Sequence, residues 1–269
     1  MLRNSLIRIH PRIVAAVVRR EAREVLRNRV LLAAIAVPPV ILTVLPLVIG
    51  IAGGRTLPPD VVAQVVAARP DWAAMTPAQV SAAVSLQQMV VIFMLMPAYI
   101  PLAIASYSIV GEKQSRSLEA VLATPIETTD LLFGKAVAAL VPGVAAVWLA
   151  FAALLGASGL VLGPLVAGIV TGPVWLASVF ALGPAIGLVS VVAGVAISSR
   201  VNDPRAAQQV ATVVILPIVG LFAAQTAGSG VPDSRTYLEA AAVVAAVGFV
   251  GLRAGVRLFG RETILTRWR

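Results

Sequence analysis

The 269-residue sequence has no cysteine, a single histidine (His10) and few charged side chains, 12% in all. Each shortage closes a class of function. Without cysteine there is no disulfide framework and no thiolate metal site. One histidine cannot build a multi-histidine metal centre. Aromatic residues make up 5%, too thin a supply for a stacking surface that holds nucleic acid. A soluble domain is about 45–50% apolar and about 25% charged. Here 59% of residues are hydrophobic and the mean hydropathy is +0.95. So few charges cannot cover the core of a soluble globule, and so apolar a chain is no disordered segment either.

What the sequence does have is long charge-free runs: 30–54, 89–111, 136–199, 206–232 and 240–252. A helix needs about 20 apolar residues to cross a bilayer, and the third run is long enough for two crossings and a connection. The expected fold class is all-α: a polytopic integral membrane protein in one transmembrane domain, 1–269. Its six transmembrane helices are expected at about 30–53, 88–110, 136–156, 173–198, 207–227 and 237–258.

The formal net charge of +9 is explained by topology. With both termini cytoplasmic, 18 of the 21 basic residues fall on the inside, eight of them arginines before Val30. Only Arg55, Arg69 and Arg235 remain outside. Such asymmetry is the positive-inside signature, and it leaves no reason to invoke nucleic acid. The partner it implies is the lipid bilayer of the cell (inner or plasma) membrane. No signal peptide is expected, because the first long apolar run stands behind eight arginines and no cleavage site closes a short one.

The basic leader has its own pattern. Over 11–28, Val14, Val17, Val18, Ala22 and Val25 share one side of a helical wheel and Arg12, Arg19, Arg20, Arg23 and Arg27 the other. This reads as an interfacial helix lying over anionic lipid, or else as a cytoplasmic extension of the first span. Residues 54–87 form an extracytoplasmic segment too small for an independent domain. Within it Thr76-Pro77-Ala78-Gln79 predicts a helix start, with Thr as N-cap, Pro at N1 and Gln at N3.

Prolines recur within the spans, Pro38, Pro39, Pro46, Pro97, Pro101, Pro142, Pro184 and Pro217. They read either as hinges of a moving bundle or as ordinary helix shape. Gly183, Gly187, Ala193 and Gly194 would let helices pack closely. The span cores hold no ionisable residue, which argues against a carboxylate proton relay or a charged coupling-ion site. Gln87, Gln88, Ser106, Tyr107, Ser178, Ser190, Gln225 and Thr226 are either pathway residues or interhelical hydrogen-bonding groups.

Enzyme motifs are missing. There is no HExxH, no GxSxG and no paired-aspartate motif. Gly134-Lys135 is followed by Ala136 and has no glycine five residues earlier, so it is no phosphate-binding loop. No cofactor is expected in this chain.

The cytoplasmic stretch 111–135 is the most informative. Residues 112–124 predict a short amphipathic helix, with Leu118, Val121 and Leu122 at i, i+3, i+4 and Glu112, Lys113, Arg116 and Glu119 on wetter faces. Pro125 ends it, and Thr129 or Asp130 can cap the next helix. Physically this is either a surface connector or a helix that docks into a partner's groove.

The same stretch resembles the cytoplasmic signature of ABC-2 type transporter permeases. That pattern runs from a glutamate through Thr/Ser-Leu-Glu, a leucine, Thr-Pro and a Leu-rich run to Gly-Lys. Here it is filled by Glu112, Ser117, Leu118, Glu119, Leu122, Thr124, Pro125, Leu131, Leu132, Gly134 and Lys135. Arg116 replaces the usual glycine before Ser117. The resemblance implies the membrane subunit of an ATP-binding-cassette exporter. It pairs with a second permease copy or a paralogue, and is driven by a separate nucleotide-binding subunit that carries ATP and magnesium. Residues 112–124 would be the coupling helix between spans 2 and 3. Glu112, Arg116, Leu118, Glu119, Leu122, Thr124, Pro125, Gly134 and Lys135 would form the ATPase-coupling set. The other classes weighed are a non-transporting scaffold or assembly factor that docks a cytoplasmic partner, and an intramembrane enzyme, which the missing nucleophiles and ligands disfavour.

Overall fold

The computed structural model describes residues 10–52, 57–114, 128–200 and 233–258, with the single positions 209, 213 and 216. The described residues are helical, with no strand among them. In chain order the helices are α1 (Pro11–Arg27), α2 (Arg29–Ala52), α3 (Pro59–Ala68), α4 (Pro77–Phe93) and α5 (Leu95–Gln114). They continue with α6 (Thr128–Val161), α7 (Pro164–Val170), α8 (Pro173–Leu176), a π-helical stretch (Ala177–Leu182), α9 (Gly183–Arg200) and α10 (Ser234–Leu258).

Five stretches are long and apolar enough to cross a membrane: Arg29–Ile49, Pro77–Ser108, Thr129–Val161, Pro164–Ser198 and Ser234–Gly255. The fifth expected span, 207–227, lies outside the described residues except for positions 209, 213 and 216. The α4–α5 stretch is the buried centre, and α2 and α10 are the most exposed. The core joins Leu86, Val90, Phe93, Met96, Ile100 and Ile104 of α4–α5 to Val147, Leu154, Trp175 and Val179. Val37, Ile41, Val44 and Val48 on α2 and Val243, Val247 and Val250 on α10 face outward. Such aliphatic faces would be a liability in water and suit hydrocarbon.

Side-chain contacts set the helix directions. Lys135 meets Ser108, and Gly143 lies against Pro101, so α6 runs antiparallel to α5. Gly187 and Gly194 of α9 meet Pro101 and Ala105 in turn, so α9 runs parallel to α5. Gly248 and Gly251 of α10 meet Leu188 and Val192, so α10 runs parallel to α9. The end of α9 and the start of α10 therefore lie at opposite ends of the bundle.

The prolines leave local marks. Pro97 has no N–H to offer the Phe93 carbonyl, and the helix breaks between Phe93 and Leu95. Pro184 stands four residues beyond Phe180, where its ring would strike that carbonyl in an α-helix, and the turn before it widens into the π stretch. The indole N–H of Trp148 donates to the Val179 carbonyl there at 3.4 Å. Small residues do the rest. A Cβ on Gly143 would stand 2.5 Å from the Pro101 ring, so only glycine permits that approach. Between α6 and α7 the chain turns at Gly163 with φ +85°, a conformation glycine adopts without strain.

The predicted start at Thr76 is present as a full capping box. The Gln79 N–H donates to Thr76 Oγ1 at 3.3 Å and the Thr76 N–H donates to Gln79 Oε1 at 2.9 Å. Beside it a satellite cluster of Trp72, Val80 and Ala83 is covered by Val62, Val65 and Val66 of α3 and by Ile169. The segment before α4 is thus packed onto the bundle.

Candidate functional site: the arginine-rich end of the bundle

The Gly-Lys that closes the signature lies in the second turn of α6, under α1. Lys135 Nζ donates to Glu21 Oε1 at 2.6 Å and to Ser108 Oγ at 2.7 Å. Both members of the ion pair have side chains only 4% exposed. A single ammonium therefore ties α1, the end of α5 and the start of α6 together. Such a pair specifies geometry more than it adds stability, because burying two charges offsets most of their attraction.

One turn earlier Asp130, fully buried, accepts the backbone N–H of His10 at 2.9 Å and contacts His10 Nδ1 at 2.9 Å. Between these polar contacts, a Cβ on Gly134 would stand 2.8 Å from Val17 Cβ. Asp130, Gly134 and Lys135 thus present a polar–small–polar face to α1, and α1 lays Val14, Val17 and Glu21 upon it. This revises two expectations. Asp130 is not a helix cap: α6 already begins at Thr128, and Asp130 in its first turn favours the helix dipole while holding His10. Part of the valine face of α1 is covered by protein, with Val14 and Val17 buried and Ala22 exposed.

The remaining signature residues divide in two. Glu112 continues α5, which runs unbroken to Gln114. Arg116, Leu118, Glu119, Leu122, Thr124 and Pro125 lie outside the described residues. Sequence reasoning passed over Glu21, His10 and Ser108. Glu21 stands among Arg19, Arg20 and Arg23, where it reads as one more solvated charge. The one available signal was its place on the helical wheel between Val14 and Val17.

Of the polar candidates within the spans, Ser178 donates to the Val174 carbonyl at 2.7 Å, an ordinary helix back-bond. The hydroxyls of Ser106 and Ser190 are buried without a hydrogen-bond partner among the described residues, with Ser106 against Gly194 in the α5–α9 contact. Gln225 and Thr226 lie outside the described residues. No group of three or more metal-ligating side chains occurs among the described residues.

No curated protein matches the chain. A family model does, over residues 15–251, from α1 to the last turns of α10, and its description is ABC-2 family transporter protein. The match covers most of the sequence and includes Glu21, Lys135 and the signature, while His10 and Val14 precede it. With its membrane-spanning bundle, the chain belongs to the ABC-2 transporter family, as a multi-pass membrane permease component.

Proposed function

We propose that the chain is the permease subunit of an ABC exporter and forms the translocation pathway as a dimer with a second copy or a paralogue. A separate ATPase, with its ATP and magnesium, drives it. The observation that carries this reading is the buried Lys135 link. Ser108 and Lys135 flank the signature segment on α5 and α6, and Glu21 joins both to α1. A push on the segment between them reaches three helices at once through a contact with little slack. ATP-driven closure of the ATPase pair then biases the two bundles towards one arrangement. Residues 112–124 act as the coupling helix, with Leu118 and Leu122 in an apolar pocket of the ATPase and Glu119 against a basic or amide-rich wall.

Both termini are cytoplasmic in this reading, at the arginine-rich end, in the cell membrane. The parallel run of α9 and α10 supports six spans, because a return crossing is needed between Arg200 and Ser234 and the charge-free run 206–232 is long enough for one.

The test is co-purification with the ATPase and its stimulated hydrolysis. Leu122→Ala and Glu119→Arg should each weaken association or uncouple hydrolysis, since losing a buried interface anchor costs about 2 kcal/mol or more. Arg116→Ala, on the solvated rim, should change it by no more than about 0.5 kcal/mol. If both anchor variants keep wild-type assembly and stimulation, the coupling assignment fails. Normal assembly without transport in proteoliposomes would favour a scaffold.

A further inference from the structure

A cleft of about 540 Å³ opens at the elbow between α1 and α2, against the end of α5. Its wall includes Arg20, Arg27, Arg29, Val30, Tyr107 and Ser108. Two carboxylates also line it, and both are engaged: Glu21 holds Lys135, and Glu24 accepts from Arg20 at 3.1 Å. Arg27 and Arg29 flank Asn28, whose side-chain oxygen caps the start of α2 by accepting the N–H groups of Val30 and Leu31 at 3.1 Å each. Among the described residues, neither Arg27 nor Arg29 forms a salt bridge. The two arginines line the cleft on either side of a capped turn. Ser108 accepts from Lys135 and keeps its own O–H to donate. Val30, in the wall, is 74% exposed.

We propose that this cleft seats the phosphate of an anionic phospholipid drawn from the leaflet at the arginine-rich end. Arginine forks match phosphate oxygens bidentately. The cleft lies where the charged α1 gives way to the apolar run of α2, which is the depth of a headgroup. Val30, Leu31 and Ile104 in the wall offer an acyl chain the apolar contact that a free phosphate ester could not use. The lipid would complete the elbow electrostatically and hold α1 on the bundle.

The test uses the full chain in nanodiscs of dioleoyl phosphatidylcholine with increasing dioleoyl phosphatidylglycerol, with retained lipids counted by native mass spectrometry. Wild type should retain one phosphatidylglycerol in preference to phosphatidylcholine. Each arginine near an anionic surface contributes enough for about a fivefold change in affinity. Arg27→Gln and Arg29→Gln should each show that loss, and the double variant roughly thirtyfold. Arg23→Gln, exposed on α1 and outside the cleft, should retain the lipid as wild type does. Both cleft arginines are exposed, and unchanged thermal unfolding checks each variant's fold. Should the double variant not fold, the two single variants decide. Undiminished retention in the arginine variants overturns the proposal. So does displacement of the lipid by millimolar glycerol 3-phosphate, which would make the ligand a soluble phosphate ester.

Discussion

Lys135 shows how one side chain can organise the end of a membrane bundle. Its ammonium is nearly sealed from solvent and, among the described residues, has oxygen partners on two other helices, Glu21 and Ser108. Removing one member of a buried ion pair leaves the other charge uncompensated, at a cost of about 3–5 kcal/mol, whereas replacing both with apolar groups is often close to neutral. Lys135→Met alone should therefore destabilise the purified protein by that amount in detergent unfolding, and Glu21→Met/Lys135→Met should recover most of it. A double variant no more stable than the single one would mean that the pair does not act as a unit. Gly134 belongs to the same contact, since any side chain there would push Val17 and α1 away.

At the scale of elements, two helix starts are settled by short-range chemistry. The capping box at Thr76 fixes where α4 begins, and Asn28 fixes the elbow that separates α1 from α2. An N-cap exchanged for alanine typically costs about 1 kcal/mol. Thr76→Ala and Asn28→Ala should each lower stability by that amount, with faster amide exchange confined to the first turn of α4 or α2. If exchange rises uniformly over the bundle instead, the caps are not local determinants. The Thr76 cap was legible in advance because all its atoms come from four consecutive residues. The elbow at Asn28 falls where the basic amphipathic pattern of 11–28 gives way to the charge-free run from Val30, a pattern that read either as a separate interfacial helix or as an extension of the first span. Of the prolines read as hinges or as ordinary helix shape, Pro97 lies just past the break between α4 and α5, and Pro184 just past the π stretch.

At the scale of the whole molecule, the bundle has one arginine-rich end, carrying α1 and the signature, and an opposite end carrying α3 and its small cluster. A chain without cysteine suits cysteine labelling. Gln64 and Ala73 are exposed at the α3 end and Arg23 at the other. Gln64→Cys and Ala73→Cys should react with an impermeant maleimide from outside intact cells, and Arg23→Cys only after the membrane is opened. Labelling of Gln64→Cys and Arg23→Cys from the same side would end the proposed topology.

The sequence by itself determined the membrane class, the helical fold and the placing of charge, because these follow from the composition of single segments. A charge-free apolar run has one favourable environment, and arginines mark the side on which it starts. Its signature stretch also carried the family resemblance. Only the tertiary structure decided which polar residues meet. Glu21 and Lys135 stand 114 positions apart, and His10 and Asp130 stand 120 apart. No local pattern distinguishes a carboxylate that will be buried under a neighbouring helix from one that will remain in water. The same holds for Gly134 and Gly143, whose lack of a side chain matters only because Val17 and Pro101 come within reach. Burial and partnership are properties of packed pairs, and the pairs exist only once the helices are side by side.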